Sequence, residues 1–194
     1  MGNLIKHLKV IHNHRKYVRK ACWKMGLFWQ GLVHDWSKYT IKELSIAKYY
    51  NGTKSPHAAC RDELGYSPSW LYHYHRQKHH WQFWLDMEDW PDKVIPIKMP
   101  YKYVIEMFCD FIGAGKAYSK DKWTEDAPWD YYKKACEGTR LMHSDSEYLL
   151  VKLLWNLKEM KSEHFFVWYK KAKKYLKNAY ENGTIRDEEL YGNY

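Results

Sequence analysis

A histidine stands directly beside an aspartate, His34-Asp35, inside the apolar and aromatic stretch Trp29-Gln30-Gly31-Leu32-Val33-His34-Asp35-Trp36-Ser37-Lys38-Tyr39. Neutral imidazole offers a nitrogen lone pair to a divalent cation and a carboxylate offers two oxygens. The pair can therefore grip one ion or let the carboxylate bridge two. Lys38 follows by one helical turn, so on a helix its ammonium shares a face with the pair and reaches an anion held there. Taken alone, a His-Asp pair is as readily a surface ion pair, and a metal reading needs more ligands elsewhere in the chain.

Three regions offer them. His14 lies three residues after Ile11 and four before Val18, on the apolar stripe of a first helix, whereas His12 falls toward its edge. By itself His14 is a buried histidine satisfied by a carbonyl; beside other ligands it becomes a candidate. The segment His73-Tyr74-His75-Arg76-Gln77-Lys78-His79-His80-Trp81 holds four histidines and two basic residues. His75 and His79 are four apart and His73 and His80 seven apart, both spacings that share a helix face, and spacing does not choose between the pairs. The bland alternative is an exposed basic cluster that binds phosphate through Arg76 and Lys78 without metal. Asp110 lies on an apolar helix with Val104, Met107, Phe108 and Phe111. Its burial without a partner would cost several kcal/mol, so a metal is the expected compensation there. For Glu106, one turn earlier, the expected partner is a lysine.

These residues must be carried by helices. Leu4, Leu8, Ile11, Val18, Cys22 and Met25 repeat at helical period over residues 3–25, and Gly26 is a natural stop. A second helix is expected over Leu27–Lys38, carrying His34 and Asp35 near its end. Thr40-Ile41-Lys42-Glu43 has the form of a capping box for a third, which Asn51-Gly52 closes. A short helix is expected over His57–Leu64, and Ser67-Pro68-Ser69 opens another through His75. Pro91, Pro96 and Pro100 make an extended connector. Beyond Gly115 the chain reads as scaffold. A helix from Thr124 closes at Gly138, another opens at Ser144 and runs through Leu154, and residues 162–181 continue helically. His143 and His164 are expected to be structural.

Composition bounds the partners. The chain has 194 residues, enough for one well-buried core, with 45% hydrophobic, 28% charged and 18% aromatic residues, which excludes a disordered chain. A net charge of +9 favours anionic partners. Cys22, Cys60, Cys109 and Cys136 form no Cys-x-x-Cys pair, which argues against a zinc ribbon. With no secretory signal pattern and no long uncharged apolar run, a cytoplasmic protein with reduced thiols and no membrane partner is expected.

The order His14, His34-Asp35, histidines at 73–80 and Asp110 resembles the HD superfamily of metal-dependent phosphohydrolases, all-helical proteins. The phrases Gly31-Leu32-Val33-His34-Asp35-Trp36-Ser37-Lys38, Lys78-His79-His80-Trp81 and Met99-Pro100-Tyr101-Lys102-Tyr103 through Asp110 look more closely like a bacterial and phage family of small HD-like proteins of uncharacterised function. The resemblance implies an all-α fold: a single compact HD-like domain over residues 1–182, with a metal-site core at about 1–120 and a helical scaffold at about 121–182 packed against it, then a loose tail at 183–194. It makes His14, His34, Asp35 and Asp110 primary metal ligands and His73, His79 and His80 candidates for a second ion. Asp35 and Lys38 become the catalytic pair, with Lys38, Arg76 and Lys78 holding phosphate. The implied chemistry is hydrolysis of a nucleotide or other small phosphoester by a metal-bound hydroxide, with one or two ions of Fe, Mn, Co, Ni or Zn. Two other classes remain open: an HD-like di-iron oxygenase, and a basic, non-catalytic helical module that binds nucleic acid.

Overall fold

The computed structural model describes residues 2–50, 55–88, 93–135 and 141–186. It is all-α, with eight α-helices among the described residues: α1 Gly2–Lys24, α2 Phe28–Val33, α3 Ile41–Leu44, α4 Pro56–Leu64, α5 Pro68–Tyr74, α6 Tyr101–Ser119, α7 Ala127–Ala135 and α8 Ser144–Glu181. The core lies between α1, α6 and α8. Val18, Ala21 and Cys22 of α1 meet Val104, Ile105, Phe108, Cys109 and Ile112 of α6, and α8 covers them with Leu149, Leu150, Leu153, Leu154, Leu157 and Phe165. The 3.6-residue period that marked these stretches as helices is the same period that brings those side chains to one face.

The crossing of α1 and α6 is close because Gly113 has no side chain. A Cβ there would lie 2.2 Å from Val18 Cγ2 and 3.0 Å from the Val18 backbone nitrogen. That contact sits one turn from both His14 and Asp110, so the approach that closes the core also brings these two side chains together. No helix among the described residues is long and apolar enough to cross a membrane.

Several local expectations are corrected. The second helix does not run to Lys38: α2 ends at Val33, His34 takes extended backbone angles, Asp35 sits in the left-handed region at φ 54°, and a short 3-10 turn follows over Trp36–Tyr39. Adjacent residues of an α-helix point about 100° apart, so a continuous helix would not aim both side chains at one point. The break does. The capping box of Thr40 and Glu43 does not form: Thr40 Oγ1 donates to the Ser37 carbonyl at 2.7 Å, and Glu43 is buried on another partner. α5 is capped by Ser67 as expected, its side chain accepting from the Trp70 backbone nitrogen, but it ends at Tyr74, so His75, His79 and His80 share no helix face.

The connector holds a two-stranded antiparallel ribbon, β1 Leu85–Glu88 with β2 Lys93–Pro96, in register Leu85 opposite Pro96. α8 joins the helix expected through Leu154 to the one expected over residues 162–181, with non-helical backbone angles at Lys161 (φ 57°, ψ 167°). The tail begins packed, with Ile185 fully buried and Arg186 paired with Asp145, so residues 183–186 are not loose. The expected stops at Asn51-Gly52 and Gly138, with Cys136 and residues 187–194, lie outside the described residues. Cys22, Cys60 and Cys109 are buried free thiols.

Candidate metal centre

Four pieces of backbone converge on one buried point. α1 supplies His14, the break after α2 supplies His34 and Asp35, the end of α5 and the loop behind it supply His73, His79 and His80, and α6 supplies Glu106 and Asp110. His14, His34, Asp35, His73 and His79 are all buried.

Their atoms fall into two sets that meet at Asp35. On one side, His14 Nε2 lies 3.2 Å from Asp35 Oδ2 and 3.2 Å from Asp110 Oδ1, and 3.3 Å from His34 Nε2. His34 Nε2 is 3.5 Å from each of the same two oxygens. On the other side, Asp35 Oδ1 lies 3.3 Å from His73 Nε2 and 3.4 Å from His79 Nε2, and His73 Nε2 is 3.0 Å from His80 Nε2. The ligand atoms within the set of His14, His34, Asp35 and Asp110, and within that of His73, His79 and His80, lie inside 4.8 Å of one another, so each group could hold a metal ion.

The outer nitrogens fix which lone pairs point inward. His34 Nδ1 lies 2.9 Å from Glu106 Oε1, and His79 Nδ1 lies 3.3 Å from the same oxygen. His73 Nδ1 lies 2.8 Å from Glu43 Oε2. A carboxylate accepts and cannot donate, so each of these Nδ1 atoms carries the proton and each Nε2 is left as a bare acceptor. In neutral rings these Nε2 acceptors face one another and face carboxylate oxygens across 3.0–3.5 Å, an arrangement that needs an added proton or a cation between them. Asp35 Oδ1 and His79 Nε2 have no hydrogen-bond partner at all. A cation at each set is the partner that this donor set fits, and carboxylates on the far nitrogens of metal-binding imidazoles are the usual way their rings are oriented. The grouping of His34 and His79 with Glu106 is that orienting layer.

Electrostatics agree. Burial alone would raise the Asp35 carboxyl, but the charges of His34, Lys38 and His73 hold it well below the usual carboxylate range. Asp110 is held low against the same burial effect by His14 and His34. Burial favours neutral His34, yet the charge of Asp35 and bonds to Asp110 and Glu106 push its pKa well above the ordinary value. The carboxylates around His34 therefore favour positive charge at this point, which a proton on the ring or a bound cation supplies. His80 moves the other way, lowered by burial and by His79 and His73.

Lys38 Nζ lies 2.8 Å from Asp35 Oδ2, and its side chain keeps 23% of its surface open. Burial alone would lower its pKa, but Asp35 and Asp110 raise it, so it stays an ammonium. The other two residues expected to hold phosphate are not brought in. Arg76 lies over the Tyr72 ring at 3.8 Å, and Lys78 is exposed, 5.9 Å from the Phe83 ring centre. His75 is exposed, as are His12 and His164, and His143 caps α8 by accepting from the Asp145 backbone nitrogen.

Two buried carboxylates at the centre and one buried histidine of α1 have surroundings that the residue pattern did not give. Glu106 partners histidines where a lysine was expected. Glu43 was hidden by its resemblance to a capping residue, and nothing in the sequence ties it to His73, 30 positions away. His7 is buried with Nδ1 unpartnered, its ring 5.7 Å from Tyr50; its signal was legible, since it lies seven residues before His14 on the same helix stripe. Residues 3–156 match the model of a family of unknown function, DUF5662. No curated protein and no solved structure matches.

Proposed function

From the premise that the chain belongs to DUF5662, a family of unknown function, we propose that it is a metal-dependent hydrolase of small phosphoesters, nucleotides among them, of the kind found among the HD-like proteins it resembles. The observation that carries this reading is the division of Asp35, whose two oxygens serve two ligand sets while Lys38 waits at the rim of the same carboxylate. Imidazole and carboxylate together suit Fe, Mn, Co, Ni or Zn. His14, His34, Asp35 and Asp110 would hold one ion, and His73, His79 and His80, beside Asp35, would hold a second. A divalent ion bound there lowers the pKa of a coordinated water toward about 7 and offsets negative charge on phosphoryl oxygens.

The chain's own residues do the rest. Lys38, kept charged by Asp35 and Asp110, is an electrostatic contact for a phosphoryl oxygen and not a proton acceptor. Asp35 stays ionised, with Oδ2 on Lys38 and His14 and Oδ1 without a hydrogen-bond partner. Glu106 and Glu43 hold His34, His79 and His73 with their Nε2 atoms turned inward, which fixes the ligand geometry before any ion or substrate arrives. The absence of Arg76 and Lys78 from the centre leaves one nearby ammonium, a better match to a small phosphomonoester than to an extended polyanion.

The test is elemental mass spectrometry on the purified chain beside His34→Ala and Asp35→Ala, followed by phosphate release from p-nitrophenyl phosphate and nucleoside monophosphates with each metal restored. Stoichiometric metal in the parent, lost in both variants, with metal-dependent phosphate release, is the expected result. No metal after reconstitution overturns the reading. Iron with oxygen consumption and no phosphate release replaces hydrolysis with oxygen chemistry.

A further inference from the structure

Bordering the candidate metal centre at Val33 and Trp36, one face of the molecule joins exposed aromatic and aliphatic side chains to a helix with no acidic residue. The first 34 residues carry lysines and arginines throughout and no aspartate or glutamate. Arg15 lies over the rings of Trp36 and Tyr39, 5.3 and 5.2 Å from their centres, and Arg19 lies 5.6 Å from that of Trp23. α2 is seated against α1 by Gly31, where a Cβ would fall 2.9 Å from Cys22 Cβ. With its glycine edge inward, α2 turns Phe28, Trp29, Leu32 and Val33 outward. Phe28 is 65% exposed, Trp29 70%, Trp36 65%, and Ile41 89%. The indole nitrogens of Trp23 and Trp36 donate to the carbonyls of Phe28 and Leu32 at 3.3 and 2.9 Å, so these two rings offer carbon and not hydrogen bonds.

We propose that this face of α1 and α2 rests on an anionic lipid bilayer. Phe28, Trp29 and Leu32 enter the interfacial layer, and Lys16 and Lys20 of α1 meet the acidic headgroups. Side chains this exposed stand out from the surface and do not wall a groove. A yielding apolar medium receives such projections, whereas a protein partner needs matched pockets for them. Leu32, Val33 and Ile41 offer nothing to a base or a phosphate, so a nucleic acid would use only part of the face. Symmetric pairing of two copies would set the cations of one α1 against those of the other. The expectation of no membrane partner rested on the lack of a spanning run, and a helix lying on a bilayer needs none. This inference stands on exposure and charge and does not rest on the hydrolase reading.

Co-sedimentation of the full chain with vesicles of phosphatidylcholine alone, and with about one third phosphatidylserine, tests it. The expected result is binding to the anionic vesicles at least tenfold tighter than to the neutral ones, reversed by salt, with blue-shifted tryptophan emission. Trp29→Ser and Lys16→Glu/Lys20→Glu, checked for native circular dichroism, each lower that binding at least tenfold. The His34→Ala chain binds vesicles like the parent, whether or not metal is lost. No vesicle binding, binding unmoved by Trp29→Ser, preference for a single-stranded oligonucleotide, or a dimer in sedimentation velocity that Trp29→Ser abolishes each overturns the proposal.

Discussion

Two buried polar clusters among the described residues are built on opposite principles. In the first, where the opening turn of α8 meets Met99 and Tyr180 near that helix's other end, each donor meets an acceptor or an opposite charge. The Met99 backbone nitrogen donates to Ser146 Oγ at 3.0 Å, Ser146 Oγ and Tyr180 OH share a bond of 2.8 Å, and Tyr180 OH donates to the Met99 carbonyl. Asp145 takes Lys98 on one oxygen and Arg186 on the other, each at 2.9 Å. In the second, around Asp35, the carboxylates of Asp35, Asp110, Glu43 and Glu106 meet imidazoles, Lys38 pairs with Asp35, and imidazole nitrogens face one another. Burial of polar groups is common to both and so distinguishes nothing. The mismatch distinguishes them: a closed cluster is finished architecture, whereas an excess of acceptors and negative charge is a request for cations.

The largest effect that would sharpen this contrast comes from Asp35→Ala. Because one carboxylate serves both ligand sets, its loss empties both, and phosphate release falls to the level without enzyme. Retention of stoichiometric metal in that variant would break the comparison outright. Glu106→Gln and Glu43→Gln come next. Each keeps its shape but stops accepting as a carboxylate, so histidine orientation weakens and metal affinity drops about 10- to 100-fold, measured by competition with a chelator. Glu106 serves two imidazoles and Glu43 one, so the larger loss is expected at Glu106.

How far these two clusters could be read from sequence differs for the same reason. The metal set announces itself through residue type: His34-Asp35, His14, the 73–80 segment and Asp110 are chemically conspicuous, and the periodicity of α1 and α6 places His14 and Asp110 on buried stripes. What the sequence hid is conformation at the points of convergence. Helical spacing suggested a continuous helix through Asp35 and a shared face for His75 and His79, yet the site is made by breaks, at His34-Asp35 and after Tyr74, where tertiary packing overrides local period. Glu43 and Glu106 were hidden because a carboxylate's partner is a long-range fact. The first cluster was invisible throughout, since Ser146 and Tyr180 are ordinary residues whose meaning lies only in meeting Met99, 47 and 81 positions away.

Tyr180→Phe tests the finished cluster. It removes a hydroxyl that satisfies Ser146 and the Met99 carbonyl, a loss of about 1–3 kcal/mol, which for a chain of this size lowers Tm by on the order of 2–10 °C. Metal content and catalysis are expected to stay at parental values. A Tyr180→Phe chain that released its metal would show the two clusters to be one cooperative unit.

The smallest effect concerns Asp145. Burial pushes its carboxyl up, but the bond and charge of Lys98, with His143 and Arg186, bring it below the ordinary value. A carboxylate with a folded pKa below its unfolded one stabilises the protein fully above the unfolded pKa, about 3.9, and loses that contribution as pH falls through the folded pKa. Asp145→Asn should therefore be less stable than the parent near pH 6 and converge on it below about pH 4. Arg186 is 55% exposed, so screening keeps the difference near 1 kcal/mol or less. The comparison has to be made on metal-free protein, because protonation of His34 and its neighbours would otherwise release metal in the acid range and bury so small a difference under a larger one. In the metal-free chains the centre takes up the same protons in parent and variant and cancels. A gap between the two denaturation curves that stayed constant from pH 6 to pH 2 would mean that Asp145 stabilises through hydrogen bonding alone. The first cluster would then owe nothing to the charge matching that sets it apart from the second.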